Sequence, residues 1–203
     1  MRTRLSPTER RTRILEKARE LVLERGLSGT EMEDIRLACD ISRGGLYHHF
    51  GNKRAVLDAL IKDEVAQLAE ALEGSDGSPI PVLLRAGSGH LGSEPGVISG
   101  MRTREERLDY LSGLELAMTE VLSDLLRDRL EGFVQPGADP GHVAELFLTI
   151  NTHINRREIL GQWTSAEAAG FAATALQALA PLLKAPADLD QIISELNDKA
   201  LQS

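Results

Sequence analysis

Four short stretches of the sequence obey one rule, and it leaves little room for anything but helices. Ser6-Pro7-Thr8-Glu9, Thr30-Glu31-Met32-Glu33, Thr103-Arg104-Glu105-Glu106 and Thr164-Ser165-Ala166-Glu167 each set a hydroxyl three residues before a glutamate. That spacing lets the two side chains satisfy each other's backbone N–H groups in the first turn of an α-helix. Behind the first box, Ile14, Leu15, Ala18, Leu21 and Val22 recur at helical intervals, and Gly26 supplies a stop. Behind the second, Met32, Ile35 and Ala38 are expected to face inward, with Cys39 and Asp40 ending the helix in a left-handed turn. Leu108, Leu111, Met118, Val121, Leu122, Leu125 and Phe133 follow the third box, and the alanine-rich AAGFAATALQALAPLL follows the fourth.

Further helices lack such a box. Val56, Leu57, Leu60, Ile61, Val65, Leu68 and Leu72 mark a long amphipathic one that ends near Gly74. Val143, Leu146, Phe147, Ile150 and Ile154 form a stripe behind Asp139-Pro140, and a last helix after Asp188 covers the body. Ser78-Pro79 restarts a short helix after the GSDGSP break; between Gly87 and Gly100 the glycines and Pro95 leave no periodicity, as suits a pocket wall that moves. Aromatic residues are 3% of the chain, which also disfavours sheets. The fold class is all-α.

Charge divides the chain. Residues 1–54 carry 12 Lys/Arg against 8 Asp/Glu, whereas the remainder is acidic enough to bring the whole to −8. A basic head that meets a polyanion and an acidic body that does not would show this asymmetry. The single cysteine, Cys39, allows no internal disulfide, and no apolar run is long enough to span a bilayer. Both fit a cytoplasmic protein with no membrane partner. No GxxxxGK loop, His-Glu-x-x-His pair or nucleophile elbow occurs, and His90, His142 and His153 are too scattered for a metal site. The chain is therefore read as a non-enzyme without cofactor or metal.

The stretch Ser42 to Lys53, SRGGLYHHFGNK, concentrates the groups that meet phosphate. Ser42 caps a helix, Leu46 and Phe50 anchor one face of it, and Arg43, Gly44, Gly45, Tyr47 and His48 are left facing out. Only a short turn after Asp40 separates it from the preceding helix, the form of a helix-turn-helix whose second member enters the major groove. Two glycines in a short helix cost about 1 kcal/mol each against alanine, so their presence marks a place where the backbone closely approaches something large.

Residues Thr30 to Leu57, TEMEDIRLACDISRGGLYHHFGNKRAVL, with RILEKARELVLERG before them, resemble the DNA-binding signature of the TetR family of transcriptional regulators. The resemblance implies an all-helical homodimer with a helix-turn-helix head, here residues 1–52, and a ligand-binding and dimerisation body, residues 53–203. It implies phosphate contacts from Thr30, Tyr47, His48 and Lys53, close backbone approach at Gly44, and a contact from Arg43 to phosphate or a base edge. Arg43 is the residue able to hold guanine through two bonds. The chain departs from the family pattern at Gly45, where a small base-touching side chain is common, at Asp40, where glycine is common, and at Arg36, where alanine is common; Arg36 thereby offers an extra phosphate contact. The basic cluster Arg2, Arg4, Arg10, Arg11 and Arg13 reads either as a minor-groove arm or as a solvated tail.

In the body, Tyr110, Glu115, Met118, Asn151, His153, Asn155 and Trp163 are the candidates to line a pocket for a small-molecule inducer. The polar run Asn151-Thr152-His153 within an apolar helix is the most suggestive, since buried polar groups need partners; bonds across a dimer would satisfy them equally. The adjacent helices of residues 140–180 suit a four-helix dimer interface when doubled by two-fold symmetry. The expected function is a homodimeric repressor released from operator DNA by an inducer. The alternatives are a DNA-binding dimer governed by a protein partner or acting as an activator, and an enzyme or metabolite-binding body with incidental DNA binding.

Overall fold

The computed structural model describes residues 6–86, 96–184 and 189–201. Among these the architecture is helical: α1 Pro7–Arg25, α2 Met32–Cys39, α3 Arg43–His49, α4 Lys53–Glu73, α5 Ile80–Ala86, α6 Arg104–Leu130, α7 Pro140–Ile159, α8 Ser165–Leu179 and α9 Leu189–Ala200. Single 3₁₀ turns occupy Val97–Gly100 and Ala180–Leu182. Arg2, Arg4, His90 and Pro95 lie outside the described residues, as does most of the stretch after Gly87.

Three of the four capping boxes close as expected. Ser6 and Glu9 exchange bonds at the start of α1, Thr103 and Glu106 at α6, and Thr164 and Glu167 at α8. The box at Thr30 does not form. Glu31 is the N-cap of α2, and the Asp34 carboxylate, one turn in, accepts from the Glu31 N–H at 2.8 Å. Thr30 instead points inward and donates its hydroxyl proton to the Gly26 carbonyl at 2.8 Å. A position one residue earlier thus locks the turn between α1 and α2.

Contacts divide the chain into two compact units: Met1–Glu64 with Pro95–Gly113, and Val65–Glu94 with Leu114–Ser203. The boundary between these units falls inside α4 and α6. In the first unit, Ile14, Leu15, Ala18, Leu21 and Val22 of α1 bury with Met32, Ile35 and Cys39 of α2, Leu46 and Phe50, and the first half of the α4 stripe. Ala38, expected inside, is exposed, because the stripe of so short a helix runs at intervals of three and four from Met32 to Ile35 to Cys39.

Two carboxylates tie this unit together at positions far apart in sequence. Glu64 of α4 is 4% exposed. It accepts from the Arg19 guanidinium at 2.9 Å, the Val97 N–H at 2.6 Å and the Tyr110 hydroxyl at 3.2 Å. Burial, and then the Glu64 charge, push the Tyr110 phenol well above its ordinary value. Glu106, the acid of the α6 cap, accepts from both the N–H and the hydroxyl of Ser28, each at 2.6 Å, and from the N–H groups of Arg102 and Thr103 at 2.7 and 2.8 Å. The start of α6 is thereby fastened to the α1–α2 turn. Gly100 permits this approach: a Cβ there would stand 2.5 Å from the Val22 carbonyl oxygen. Gly26, at φ 84°, turns the chain at the same corner.

Burial alone would raise the Glu106 pKa, but the bonds from Ser28, Thr103 and Arg102 prevail and hold it at about 2. A folded-state pKa below the unfolded value adds stability that is complete above the unfolded pKa and is lost as pH falls through the folded one. Acid should therefore loosen this corner between about pH 4.5 and about pH 2. Glu106→Gln should cost about 2 kcal/mol at neutral pH, after a discount for solvent screening, and should flatten the loss below pH 4.5. Urea melts at neutral and acid pH measure both effects.

In the second unit, Leu114, Ala117, Met118, Leu122, Leu126 and Leu130 of α6 bury with Val143, Ala144, Phe147, Leu148 and Ile154 of α7 and with the alanines of α8. Leu108 and Leu146, assigned inward by spacing, stand 39% and 42% exposed, and Phe133 lies beyond the end of α6. Several small residues of α8 are occupied within the chain. Ala168 and Ala172 pack with Ile154, Trp163 and Leu196, and the bare Cα of Gly170 faces Ala200 of α9. The Arg129 guanidinium, bonded to the Ser75 and Gly77 carbonyls at 2.6 and 3.0 Å, holds the α4–α5 turn.

Candidate nucleic-acid interface

The turn before α3 is built by charge pairing and by one left-handed residue. Asp40 takes φ 52° and ψ 49°, which ends α2 and redirects the chain. Arg36 braces the same turn. Its guanidinium meets Glu33 at 2.7–3.0 Å and donates to the Ile41 carbonyl at 2.9 Å, and the bonds to Glu33 raise its pKa. Arg36, which in sequence offered an extra phosphate contact, is thus engaged with Glu33 and the Ile41 carbonyl in shaping the turn.

α3 begins as expected, with the Ser42 hydroxyl oxygen accepting the Gly45 N–H at 3.1 Å. Leu46 is fully buried and Phe50 nearly so, which fixes the helix on the core by one face. Ser42, Arg43, Gly44, Tyr47 and His48 are exposed on the other. The Arg43 guanidinium lies 5.6 Å from the Tyr47 ring centroid, a stacking that pre-orients its in-plane donors outward. The two glycines differ in role. A Cβ on Gly44 would meet nothing within 4 Å, so the space beside its backbone is open to a partner, whereas one on Gly45 would crowd the Ser42 cap at 3.2 Å.

Thr30, the remaining residue expected at phosphate from α2, is 1% exposed and lies beneath the surface. Lys53 is partly exposed at the start of α4, with its ammonium shared between the Glu31 carboxylate at 3.1 Å and the Leu27 carbonyl at 3.3 Å. Asn52, not singled out from sequence, accepts the Ala55 N–H at 2.8 Å and starts α4; an Asn before an apolar-periodic run is the signal that marks it. His48 and His49 meet edge to face at 5.5 Å. Burial, then His48, Arg10 and Arg11, lower the pKa of His49. Among the described residues no group of three His, Cys, Asp or Glu is placed to hold a metal ion.

The seven pocket candidates do not converge. Tyr110 is bonded to Glu64 in the first unit, and Glu115 is exposed. Met118 is buried in the core of the second unit. His153, Trp163 and Phe171 form an aromatic cluster with centroids 5.1–5.4 Å apart. Asn151 alone of the seven lines a small cavity of about 20 Å³ with Leu83, Phe147, Ile150, Ile154 and Leu176. Its amide donates to the Leu83 carbonyl and accepts from buried Asn155, so these polar groups satisfy each other.

The fold and the exposed tip define a helix-turn-helix head, with one face of α3 turned outward, and a further helical unit. Residues 14–60 match the sequence model of the bacterial regulatory proteins, tetR family. The regulator UidR of Escherichia coli K12 is 42% identical over 78 residues, which cover 36% of this chain and 39% of that protein. The repressor AcnR of Corynebacterium glutamicum is 38% identical over 66 residues, 32% of this chain and 35% of that one. The chain thus matches well under half the length of these relatives. Among solved structures, a TetR-family transcriptional regulator from Pectobacterium atrosepticum superposes with a TM-score of 0.57 at 24% identity, over 91% of this chain and 100% of that one. The reduced form of E. coli NemR gives 0.51 at 18% identity, over 88% and 98%. These likenesses extend the shared fold beyond the head.

Proposed function

We propose that the protein is a DNA-binding transcriptional regulator acting as a homodimeric repressor in the cytoplasm, without catalytic activity, and released from its operator by a small molecule. The observation that carries this reading is the tip itself: Arg43, Tyr47 and His48 exposed on a helix pinned by Leu46 and Phe50, inside the matched residues 14–60. Hydroxyl, phenol and imidazole groups of this kind set register on the phosphate backbone, and Arg43 reads bases. Two outward apolar groups support the dimer. Leu146 of α7 and Phe171 of α8 are 42% and 37% exposed, and Phe171 touches His153, which lies on the Leu146 side of α7. In the proposed switch the inducer binds better to a dimer whose heads are wrongly spaced for successive major grooves about 34–36 Å apart.

One observation favours a second reading of the regulation. The cavity at Asn151 has room for about one water, so release is effected either by a ligand that prises apart α5, α7 and α8 or by a protein partner on the surface. Selection of duplexes from a random library with the purified protein, followed by footprinting with and without fractionated cell metabolites, tests the proposal. Enriched two-fold sequences whose footprint is lost to a metabolite fraction support it. Failure to enrich any duplex contradicts it, and a footprint that no fraction disturbs favours the partner.

A further inference from the structure

Arg11 stands four and seven residues before Leu15 and Ala18, on the stripe of α1 that faces the core. It lies one turn beyond the core's edge, and so its side chain runs out across the end of α3. The guanidinium carbon sits 5.1 Å from the centroid of the Phe50 ring, and Phe50 is the residue that closes α3. The face of the guanidinium is taken by the ring while its in-plane N–H donors remain at the surface. No carboxylate among the described residues pairs with Arg11, whereas Arg19, Arg25, Arg36, Arg54 and Arg127 each have one.

Arg43 repeats this arrangement at the opposite end of the same helix, stacked on Tyr47 and in no close ion pair among the described residues, its charge reaching Glu33 only at longer range. Two guanidinium groups, each set against an aromatic ring and neither in a close ion pair, therefore flank α3. Around Arg11 the positive field is dense, since Arg10 and Arg11 of α1 and His48 of α3 all act on half-buried His49. A rigid, capped helix carries these arginines, which corrects the floppy-tail reading for Arg10, Arg11 and Arg13. An anion lying along the Phe50 end of α3 would meet donors already in place.

We infer that Arg11, with Arg10 and His49 beside it, forms a second contact row for the phosphate backbone of duplex DNA, flanking the base pairs faced by Arg43. This rests on the DNA-binding reading above. The row carries no base preference, because a guanidinium on phosphate reads charge and not sequence. It also couples binding to protons. The phosphate favours the charged form of His49 that its neighbours disfavour, so the complex gains a proton relative to the free protein and binds more tightly as pH falls through the histidine range.

The test uses the full chain and a mixed-sequence duplex long enough to span two heads. Arg11→Met keeps the apolar stem over Phe50 and removes the charge; Arg11→Lys restores the charge; Arg156→Ala, exposed on α7, is the control. The inference expects Arg11→Met to reduce the slope of log affinity against log salt by about 0.9 per head and to weaken binding to all sequences alike, with Arg11→Lys recovering the slope. It further expects wild-type binding to strengthen from pH 7.5 to about 6, and His49→Gln to lose that gain. A wild-type slope in Arg11→Met, with wild-type protein binding the duplex, overturns the inference and leaves the function standing. A wild-type protein that binds no duplex at low ionic strength overturns both.

Discussion

Replacing Glu64 with alanine is expected to destabilise the head by about 3–5 kcal/mol, the cost of leaving a buried charge without its partner. Three donors from three other segments converge on this carboxylate: Arg19 of α1, the Val97 N–H and the Tyr110 hydroxyl of α6. Its loss leaves Arg19 with Asp63 alone, at 3.3 Å in a half-exposed pair that counts for little, and leaves the Tyr110 hydroxyl buried without an acceptor. Glu64→Gln keeps an acceptor and loses only the charge, so about 1–3 kcal/mol is expected. The combination Glu64→Leu, Arg19→Met, Tyr110→Phe should recover much of the loss, because apolar groups of similar volume need no partner. Urea denaturation monitored in the head measures all three. A loss below about 1 kcal/mol for Glu64→Ala would show that water replaces the network at little cost.

Arg43→Ala is expected to lower affinity for a selected duplex by about 1–3 kcal/mol and to flatten discrimination at the base pair it faces. Arg43→Lys should restore part of the affinity and little of the discrimination, since an ammonium lacks the planar pair of donors that guanine accepts and loses the stacking on Tyr47. Lys53→Ala provides the contrast. Its ammonium is already paired with Glu31, so contact with phosphate exchanges one anion for another, and the salt slope should fall by less than the roughly 0.9 expected of an unpaired cation. Competition among duplexes altered one base pair at a time separates the two behaviours. Equal loss on every duplex for Arg43→Ala would remove it from base reading and leave it a phosphate contact.

What was legible in the sequence is what short-range chemistry decides. Ser42 reaching the Gly45 N–H, Asp40 turning left-handed, and Leu46 with Phe50 holding α3 to the core each depend on residues within four of one another. The helical stripes failed where a neighbouring helix, and not the period, decides burial: Leu108 and Leu146 keep the interval and face outward. The cap of α2 was missed by one residue because Thr30 has a second acceptor, the Gly26 carbonyl, which a pattern of hydroxyl and acid does not reveal.

Pairings across long stretches of chain were not legible at all. Ser28 with Glu106, and Glu64 with Tyr110, are separated by 78 and 46 residues, and nothing local marks either carboxylate as buried. The pocket candidates stand out in the sequence by polarity within apolar runs. The structure shows that Tyr110 and Asn155 answer that polarity inside the chain, the first through Glu64 and the second through Asn151. Arg11 belongs by charge to the basic cluster and by its spacing to Leu15 and Ala18 to the core-facing stripe of α1. That conflict, a cation on a core-facing stripe, is the signal that singles it out.

The central claim is that duplex DNA is held by the tip at Ser42–Lys53. Amide hydrogen exchange of the full chain, with and without a selected duplex at low ionic strength, tests it most directly. The account predicts slowed exchange in α3 and at the starts of α1 and α4. Protection confined to residues 114–203, or none anywhere when binding is saturated, would contradict it.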